Sequence, residues 1–284
     1  MIPPQSIANI YRGAANMDLN AADADVFPPD DPWTLALAEA LVQEAEAGRL
    51  DGKNILELGA GSGVNMLGLK ALALNNFFRN PPSFTGLDIT MESVRACDEL
   101  AAAHGFADEI RLYQSNLLSD VPAEAIADTD IVFACLPQVR WDYEVMQREP
   151  QAREFADYYI VPEQEVPEDA YALGLLARAL DQIRDKTPKA SVLFNVAGRQ
   201  GDKSFKLFTD RFDRAEPVVH RVIPHDPTTS LTSFVRWEQM SEESCRFYRD
   251  AEASQKIDAA EAEERRVEGV EVYHDLFVMK AEMG

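Results

Sequence analysis

Hydrophobic and polar positions along this chain fall into two alternating patterns. Apolar runs of strand length recur, and most are separated by segments whose apolar residues repeat with helical spacing. The strand-like runs are "KNILELGAGSG", "SFTGLDI", "IRLYQS", "DIVFACL", "ASVLFNVA", "PVVHRVI" and "EVYHDLFVMK". This alternation predicts an α/β fold, a doubly wound parallel sheet with helices on both faces.

Two helices are indicated most clearly. Asp31-Pro32 supplies an N-cap and a first-turn proline, and Gly48 marks the far end of that helix. Its apolar residues recur every four positions, at Trp33, Leu37, Leu41 and Ala45. In "YALGLLARALDQIRDK" one face of the helix carries Leu173, Leu176, Leu180 and Ile183.

The chain divides into an arm and one domain. Residues 1–30 are predicted to be an N-terminal arm, and residues 31–284 a single domain. Within it, residues 238–268 are predicted to form a polar helical insertion, with a charged helix over 241–266. Its apolar stripe is sparse, at Cys245, Tyr248 and Ile257. This pattern is typical of a solvated surface element, with a homodimer contact or a cover over the site as alternatives.

Charge and composition exclude several classes of protein. The 284 residues carry 27 basic and 49 acidic side chains, a net charge of −22, which disfavours a nucleic-acid partner. Three separated cysteines indicate neither a disulfide framework nor a zinc site. No apolar run approaches the roughly 20 residues of a membrane span, so we expect a soluble, cytoplasmic protein that does not bind membranes.

Candidate chemistry begins at Glu57, in "ELGAGSG". Glycines at Gly59, Gly61 and Gly63 let the backbone approach a ligand and turn into a helix. A dinucleotide fingerprint would place its third glycine where Val64 stands, so the spacing disfavours NAD and fits the looser loop of S-adenosylmethionine enzymes.

Two further strand ends carry polar residues that extend this site. Asp88, followed by Ile89, ends the next strand, where a carboxylate can accept ribose hydroxyls. Asn116 and Leu117 follow the third strand, near the expected adenine edge. Asp88 could instead be a helix cap, and Asn116 a turn residue. Because the glycine loop, Asp88 and Asn116 follow successive strands in order, however, they together predict one cofactor site.

The block from Asn54 to Asn116 resembles the cofactor half of class I S-adenosylmethionine-dependent methyltransferases. Downstream, "ACLPQV", "YALGLLARAL" and "LFNVAGRQG" are similar to segments of plant methionine S-methyltransferases. The compact length resembles that of the bacterial methionine S-methyltransferases that catalyse the first step of dimethylsulfoniopropionate synthesis. The resemblance covers roughly residues 26–235 and departs from the plant pattern at Val196-Ala197. It implies S-adenosylmethionine as methyl donor and L-methionine as acceptor.

The segment after the fourth strand bears on the acceptor. Amide methyltransferases often carry Asn-Pro-Pro-Tyr there, whereas this chain has Cys135 and Gln138 at the outer positions. A thioether has no proton to lose and needs no general base, so a dry pocket that aligns the sulfur suffices. We therefore expect Pro137 and Gln138 to shape the reaction centre, although Gln138 also fits a turn cap and Cys135 a buried small residue.

Substrate recognition is assigned to polar and aromatic residues near the strand ends. Arg199 could pair with a carboxylate, and Asn195 with an amino group; a structural ion pair and a turn residue are the alternatives. Tyr158 and Tyr159 are expected to face the sulfonium charge, with packing as the alternative, and Tyr159 is expected to act in both catalysis and substrate binding. The residue that binds the substrate ammonium is not assigned, and Asp142 and Glu165 are weak candidates for it.

Two other readings of function stay open. One is a methyltransferase of another small molecule or of a protein amide. The second is a non-catalytic subunit that holds the cofactor and works through a partner. His220 and His225 lie five positions apart around a strand, so they do not share one face, and no carboxylate stands at a spacing that suggests a metal site. Ser62 lacks the Gly-x-Ser-x-Gly setting of a hydrolase.

Overall fold

The computed structural model describes residues 31–74, 76–138, 166–241 and 243–284. The predicted arm, residues 1–30, lies outside the described residues. In chain order the main elements are α1 (Pro32–Glu46), β1 (Asn54–Leu58), α2 (Val64–Leu74), β2 (Ser83–Asp88), α3 (Met91–Ala103), β3 (Ile110–Gln114), α4 (Ala123–Ile126), β4 (Ile131–Ala134), α5 (Gly174–Lys186), β5 (Ser191–Ala197), α6 (Asp202–Thr209), β6 (Arg214–Pro224), α7 (Thr232–Met240), β7 (Phe247–Tyr248), β8 (Lys256–Ile257), α8 (Ala259–Val267) and β9 (Tyr273–Glu282).

Among the described residues, nine strands form one sheet. The order is β3-β2-β1-β4-β5-β9-β7-β8, with β6 on the other edge of β9. Strands β1 to β5 pair in parallel. The chain winds outward from β1 to β3 and then crosses to β4, so the crevice between β1 and β4 is the topological switch point where such sheets bind ligands. The predicted doubly wound fold is confirmed.

The sheet departs from the predicted parallel arrangement at β9. This strand runs antiparallel to both β5 and β6. The residues between Pro224 and Tyr273, which pair with each other, gather at the carboxyl end of the parallel strands. The chain therefore re-enters the sheet from that end and has to run backwards. The same geometry brings the insertion to the ligand-binding edge.

Helix α1 forms for the reasons that the sequence indicates. Asp31 caps it, its Oδ2 accepting the Thr34 N–H at 2.9 Å. Leu37 and Leu41 are fully buried, and each contributes roughly 1.5–3 kcal/mol of hydrophobic stabilisation. This helix packs with α2 and α3 in one core cluster, while α5 and α6 contribute to a second cluster containing residues from the same strands. Helices thus cover both faces of the sheet.

The predicted helix over 241–266 is wrong for its first part. Residues 247–257 form a short hairpin, and only Ala259–Val267 is helical. The expectation of a solvated element is also corrected, because Cys245 and Ile257 are buried in a separate core cluster with α7 and α8. Too few apolar residues recur at helical spacing to pack a long helix, and those present are buried instead by the short hairpin and the loop before it. Within the described ranges, no helix combines the length and apolar content of a membrane span.

Candidate functional site

The glycine loop between β1 and α2 has the backbone that its sequence predicts. Gly59, Gly61 and Gly63 all have positive φ angles, of 66°, 53° and 72°. A Cβ on Gly63 would lie 2.3 Å from Cys97 Sγ, whereas one on Gly61 would meet nothing within 4 Å. Gly63 is therefore required for packing of the loop against α3. Gly61 leaves open space at the switch point for a ligand.

Asp88 ties this loop to the end of β2. Its Oδ2 accepts the Gly61 N–H at 2.9 Å, and its Oδ1 accepts the Thr90 N–H at 3.0 Å. The backbone carbonyl of Asp88 accepts the Ser115 N–H at 2.8 Å, which joins the end of β3. The cap of α3 is Thr90, whose hydroxyl accepts the Ser93 N–H, so Asp88 is not the helix cap and instead holds the glycine loop and the cap residue. A carboxylate has about four lone-pair positions, so further donors can bind it.

Glu57 lies at the end of β1, just before the glycine loop, and has an unsatisfied acceptor. Its side chain is buried, and Oε2 has no hydrogen-bond partner among the described residues. Burial raises the pKa of Glu57 well above its ordinary value, and the nearby Asp88 charge raises it further, while a hydrogen bond from the Met66 backbone opposes the shift. A protonated or cation-paired Glu57 fits this environment.

This raised pKa predicts a pH-dependent cost of folding. In the folded chain Glu57 holds its proton above the unfolded pKa, so stability falls as pH rises from that value through the folded pKa, by about 1.4 kcal/mol per pH unit. Glu57→Gln is neutral at every pH and should become progressively more stable than wild type over that range. Urea unfolding of both proteins from pH 4 to pH 9 measures the difference. A difference that does not change with pH would contradict the shift.

The end of β3 supplies the third side of the candidate cofactor site. Asn116 is half-buried, and its N–H donates to Asp120 Oδ2 at 3.0 Å. Leu117 is buried and has a φ of 53°, uncommon for a residue with a Cβ. The Ile89 carbonyl accepts from the Gln114 amide at 3.0 Å, which fixes the backbone after Asp88. The predicted cofactor residues therefore lie on three neighbouring strand ends.

Gln138 joins the end of β4 to β5. Its Nε2 donates to the Asn195 carbonyl at 2.9 Å, and its Oε1 accepts the Ala197 N–H at 2.8 Å. Both polar ends of this buried side chain are thus bonded to strand backbone, which suits a positioning residue. The half-buried Pro137 follows Leu136, whose Cδ2 would lie 2.8 Å from a Cβ on Gly59. The Pro-Gln segment consequently lies directly beside the glycine loop.

Asn195 lies at the same end of β5, 1% exposed. Its Nδ2 donates to the Trp33 carbonyl at 2.6 Å and to Cys135 Sγ at 3.2 Å. Its Oδ1 is buried and has no hydrogen-bond partner among the described residues. The first turn of α1 is therefore part of the site, a contact between residues 162 positions apart that no local pattern reveals.

Arg199 is a buried cation with aromatic neighbours. It is 3% exposed, and its Nη2 donates to the Gln138 carbonyl at 2.9 Å. The guanidinium carbon lies 5.9 Å from the Trp33 ring centre and 5.1 Å from that of Phe234 in α7. The Arg246 N–H donates to the Arg199 carbonyl at 2.8 Å. The predicted insertion thus contacts the backbone of Arg199 through Arg246.

Two histidines near Arg199 were not predicted as site residues. Burial, and then the charge of Arg199, lower the pKa of His225 to about 4. The same two causes lower the pKa of His274 well below its ordinary value. Both imidazoles are therefore neutral at neutral pH, and Arg199 is the dominant charge beside them. Across the described part of the chain, no group of three or more His, Cys, Asp or Glu side chains is placed to hold a metal ion.

Four predicted residues cannot be placed in this site. Tyr159, together with Tyr158, Asp142 and Glu165, lies outside the described residues. Of the remaining predictions, Glu57, the glycines and Asp88 converge on the β1–β4 crevice. Pro137, Gln138, Asn195 and Arg199 are brought together at the adjoining ends of β4 and β5. The structure adds Trp33 and Phe234, which lie in helices α1 and α7 and whose sequence positions indicated packing alone.

No protein-family model and no curated protein sequence matches this chain. Among solved structures, it is similar to a Pyrococcus horikoshii protein proposed to be an RNA methyltransferase, with 11% identity, a TM-score of 0.46 and coverage of 91% of this chain and 86% of the other. It is also similar to the tRNA methyltransferase TrmK of B. subtilis, with 10% identity, a TM-score of 0.42 and coverage of 86% and 65%. A third is an RNA methyltransferase from Salinibacter ruber in complex with S-adenosyl-L-homocysteine, with 14% identity, a TM-score of 0.33 and coverage of 55% and 74%.

At these identities and TM-scores, the three structures carry no argument for activity, substrate or cofactor. The class of the protein is defined by its own sheet and site. It is a doubly wound α/β protein of Rossmann type, with a glycine-rich loop and an acidic strand end at the switch point.

Proposed function

We propose that this protein is an S-adenosylmethionine-dependent methyltransferase. The observation that carries the proposal is the hydrogen bond from the Gly61 N–H to Asp88 Oδ2. This bond joins the glycine loop to the end of β2, beside the open space at Gly61. A ligand with ribose hydroxyls and a cationic amino group suits Asp88 and the orphaned oxygen of Glu57. The class I resemblance of residues 54–116 supports the same ligand.

S-adenosylmethionine fits the residues that are present, and when bound it supplies an electrophilic methyl group. Asp88 would accept the ribose hydroxyls, and Glu57 the amino group, which requires the carboxyl to lose its proton. Gly61 would allow close backbone approach, and Ile89, Asn116 and Leu117 would border the adenine. Gly59 and Gly63 would keep the loop in shape rather than contact the ligand.

Within this class, we propose the thioether sulfur of L-methionine as the methyl acceptor. Cys135, Leu136 and Pro137 offer the sulfur a largely apolar surface beside the glycine loop. Burial raises the pKa of the Cys135 thiol, so that thiol is neutral and is not a base. A sulfur nucleophile needs no base, and these residues would exclude water and align it. The product would be S-methylmethionine.

Recognition of the amino acid is proposed for the ends of β4 and β5. Arg199 would bind the substrate carboxylate, held in place by its bond to the Gln138 carbonyl. Asn195 would receive an N–H group at Oδ1. Tyr159 stays part of the proposal as an aromatic contact of the sulfonium, and its placement lies outside the described residues.

Arg199→Ala should raise the KM for L-methionine at least tenfold and lower kcat much less. The physical reason is that the arginine would grip a part of the substrate that does not react, so substrate and transition state lose the same interaction. Steady-state kinetics at saturating S-adenosylmethionine measures both constants. Arg246→Ala is the matched control, because its backbone bonds that of Arg199 while its side chain, 34% exposed, pairs with Asp202. Equal KM values in the two variants would exclude Arg199 as the residue that binds the substrate carboxylate.

Methyl transfer to a different acceptor is the second candidate. The three structural neighbours are described as tRNA or RNA methyltransferases, not as methionine enzymes. A phosphate backbone is disfavoured by 49 acidic side chains against 27 basic ones. Another small molecule or a protein amide is compatible with that charge, and so is a cofactor-binding subunit without activity of its own.

The deciding experiment mixes the purified protein with S-adenosylmethionine and L-methionine at neutral pH. Mass spectrometry should show S-methylmethionine and S-adenosylhomocysteine forming in equal amounts. If S-adenosylmethionine binds and methionine is not methylated, the acceptor proposal fails. A panel of small thioethers, amines, peptides and RNA in the same assay then separates another acceptor from a non-catalytic subunit.

A further inference from the structure

The loop after β3 is held by two side chains of α5. Gln182 Oε1 accepts the Leu118 N–H at 2.8 Å, and Gln182 Nε2 donates to Ser119 Oγ at 3.2 Å. Lys186, one helical turn further along α5, donates to the Leu118 carbonyl. Both backbone polar groups of the fully buried Leu118 are therefore bonded by one helix. These bonds join residues 63 to 68 positions apart, so no local sequence pattern predicts them.

The other end of this loop is tied to β2 and to itself. The Ser115 N–H donates to the Asp88 carbonyl at 2.8 Å, and the Asn116 N–H donates to Asp120 Oδ2 at 3.0 Å. The Asp120 N–H in turn donates to Ser115 Oγ at 3.1 Å. The loop is thus anchored on both sides of Leu117.

Leu117, between these anchors, has a strained backbone. Its φ of 53° lies in the left-handed region, which costs a residue with a Cβ roughly 1–2 kcal/mol. Such a conformation persists only where the surrounding structure imposes it, and it is frequent where the backbone faces a ligand. The bonds from Gln182 and Lys186 to the next residue impose it here. Leu117 is also one of the residues proposed to border the adenine.

We infer that Gln182 and Lys186 are positioning residues for the adenine end of the cofactor. Their bonds to Leu118 keep Leu117 left-handed and so hold Asn116 and Leu117 in place before the ligand binds. Preorganisation of this kind raises affinity, because the loop is ordered during folding and not during binding. The inference rests on the proposed function and deepens it, since it gives two residues of α5 a role in cofactor binding.

Gln182→Leu removes both side-chain bonds of Gln182 and changes the size of the side chain little. It should weaken the binding of S-adenosylhomocysteine about tenfold in isothermal titration calorimetry, because the loop is then ordered only on binding. Adenosine should lose the same factor, since the affected contacts are those of the nucleoside. Lys186→Met changes an exposed side chain and removes the bond to the Leu118 carbonyl. It should weaken both ligands about threefold.

Two further variants separate loop position from helix stability. Gln182→Glu is the conservative variant, because a carboxylate still accepts the Leu118 N–H and the Ser119 hydroxyl, so its affinity should stay within about twofold of wild type. Asp181→Ala is the matched control. Asp181 lies beside Gln182 on α5 and also ties the helix to another segment, through bonds from Arg211 at 2.8 and 3.3 Å. This variant should lower the melting temperature and leave both affinities unchanged.

Wild-type affinity in folded Gln182→Leu overturns the inference and leaves the proposed cofactor in place. If that variant does not fold, Lys186→Met decides in the same way. An equal loss of affinity in Asp181→Ala also overturns the inference, because the loss then reflects helix stability. So does a loss in Gln182→Glu as large as that in Gln182→Leu. A wild-type protein that binds neither S-adenosylhomocysteine nor adenosine removes the proposed function together with this inference.

Discussion

Asp88→Ala should lower the affinity for S-adenosylhomocysteine by about 100-fold or more. Asp88 is proposed to accept ribose hydroxyls, and hydrogen bonds to a charged acceptor contribute roughly 1.5–3 kcal/mol each. Its loss also releases the Gly61 N–H, bonded to it at 2.9 Å, so the loop loses its attachment to β2. Two such effects amount to at least about 3 kcal/mol, and each 1.4 kcal/mol is a tenfold change. Isothermal titration calorimetry gives the affinity directly.

The control for this prediction is Asp130→Ala, at the opposite end of the same sheet. Asp130 also accepts a backbone N–H, from Asn54 at 2.9 Å, and pairs with Lys53. Its removal should cost stability without changing ligand affinity. Melting temperatures identify any variant that is not folded. A folded Asp88→Ala protein with the affinity of wild type would remove Asp88 from the cofactor site and leave the proposed ligand without its best support.

Gly63→Ala should destabilise the folded protein by about 2–5 kcal/mol. A residue with a Cβ loses roughly 1–2 kcal/mol in the left-handed region, where Gly63 has a φ of 72°. The added Cβ would also lie 2.3 Å from the fully buried sulfur of Cys97, and overpacking costs about 1–3 kcal/mol more. Urea unfolding measures the change.

Two variants separate the causes in this prediction. Gly61→Ala has a similar φ of 53° but open space around its Cβ, so it should show only the conformational cost. In a Cys97→Ala background the clashing sulfur is gone, and Gly63→Ala should then cost about as much as Gly61→Ala. A cost that is the same with and without the sulfur would show that backbone strain alone is responsible.

The fold was predictable wherever short segments decide their own structure. All seven predicted strand segments contain strands, and α1 begins at the predicted Asp31-Pro32. Alternation and capping are local properties, so they can be recognised without the tertiary structure. The reversed direction of β9 and the hairpin at residues 247–257 were not predicted. Both depend on which end of the sheet the chain occupies after β6, and no local pattern encodes that.

The candidate site divides in the same way. The sequence by itself determined the glycine loop, Glu57 and the acidic end of β2, because one strand–loop–helix unit and its neighbour contain them all. Only the tertiary structure decided that Trp33 meets Asn195, and that Phe234 covers Arg199. These contacts join residues far apart along the chain through packing of α1 and α7 on the sheet. A helix sequence indicates which face is apolar, but the folded chain decides which polar groups that helix brings to the site.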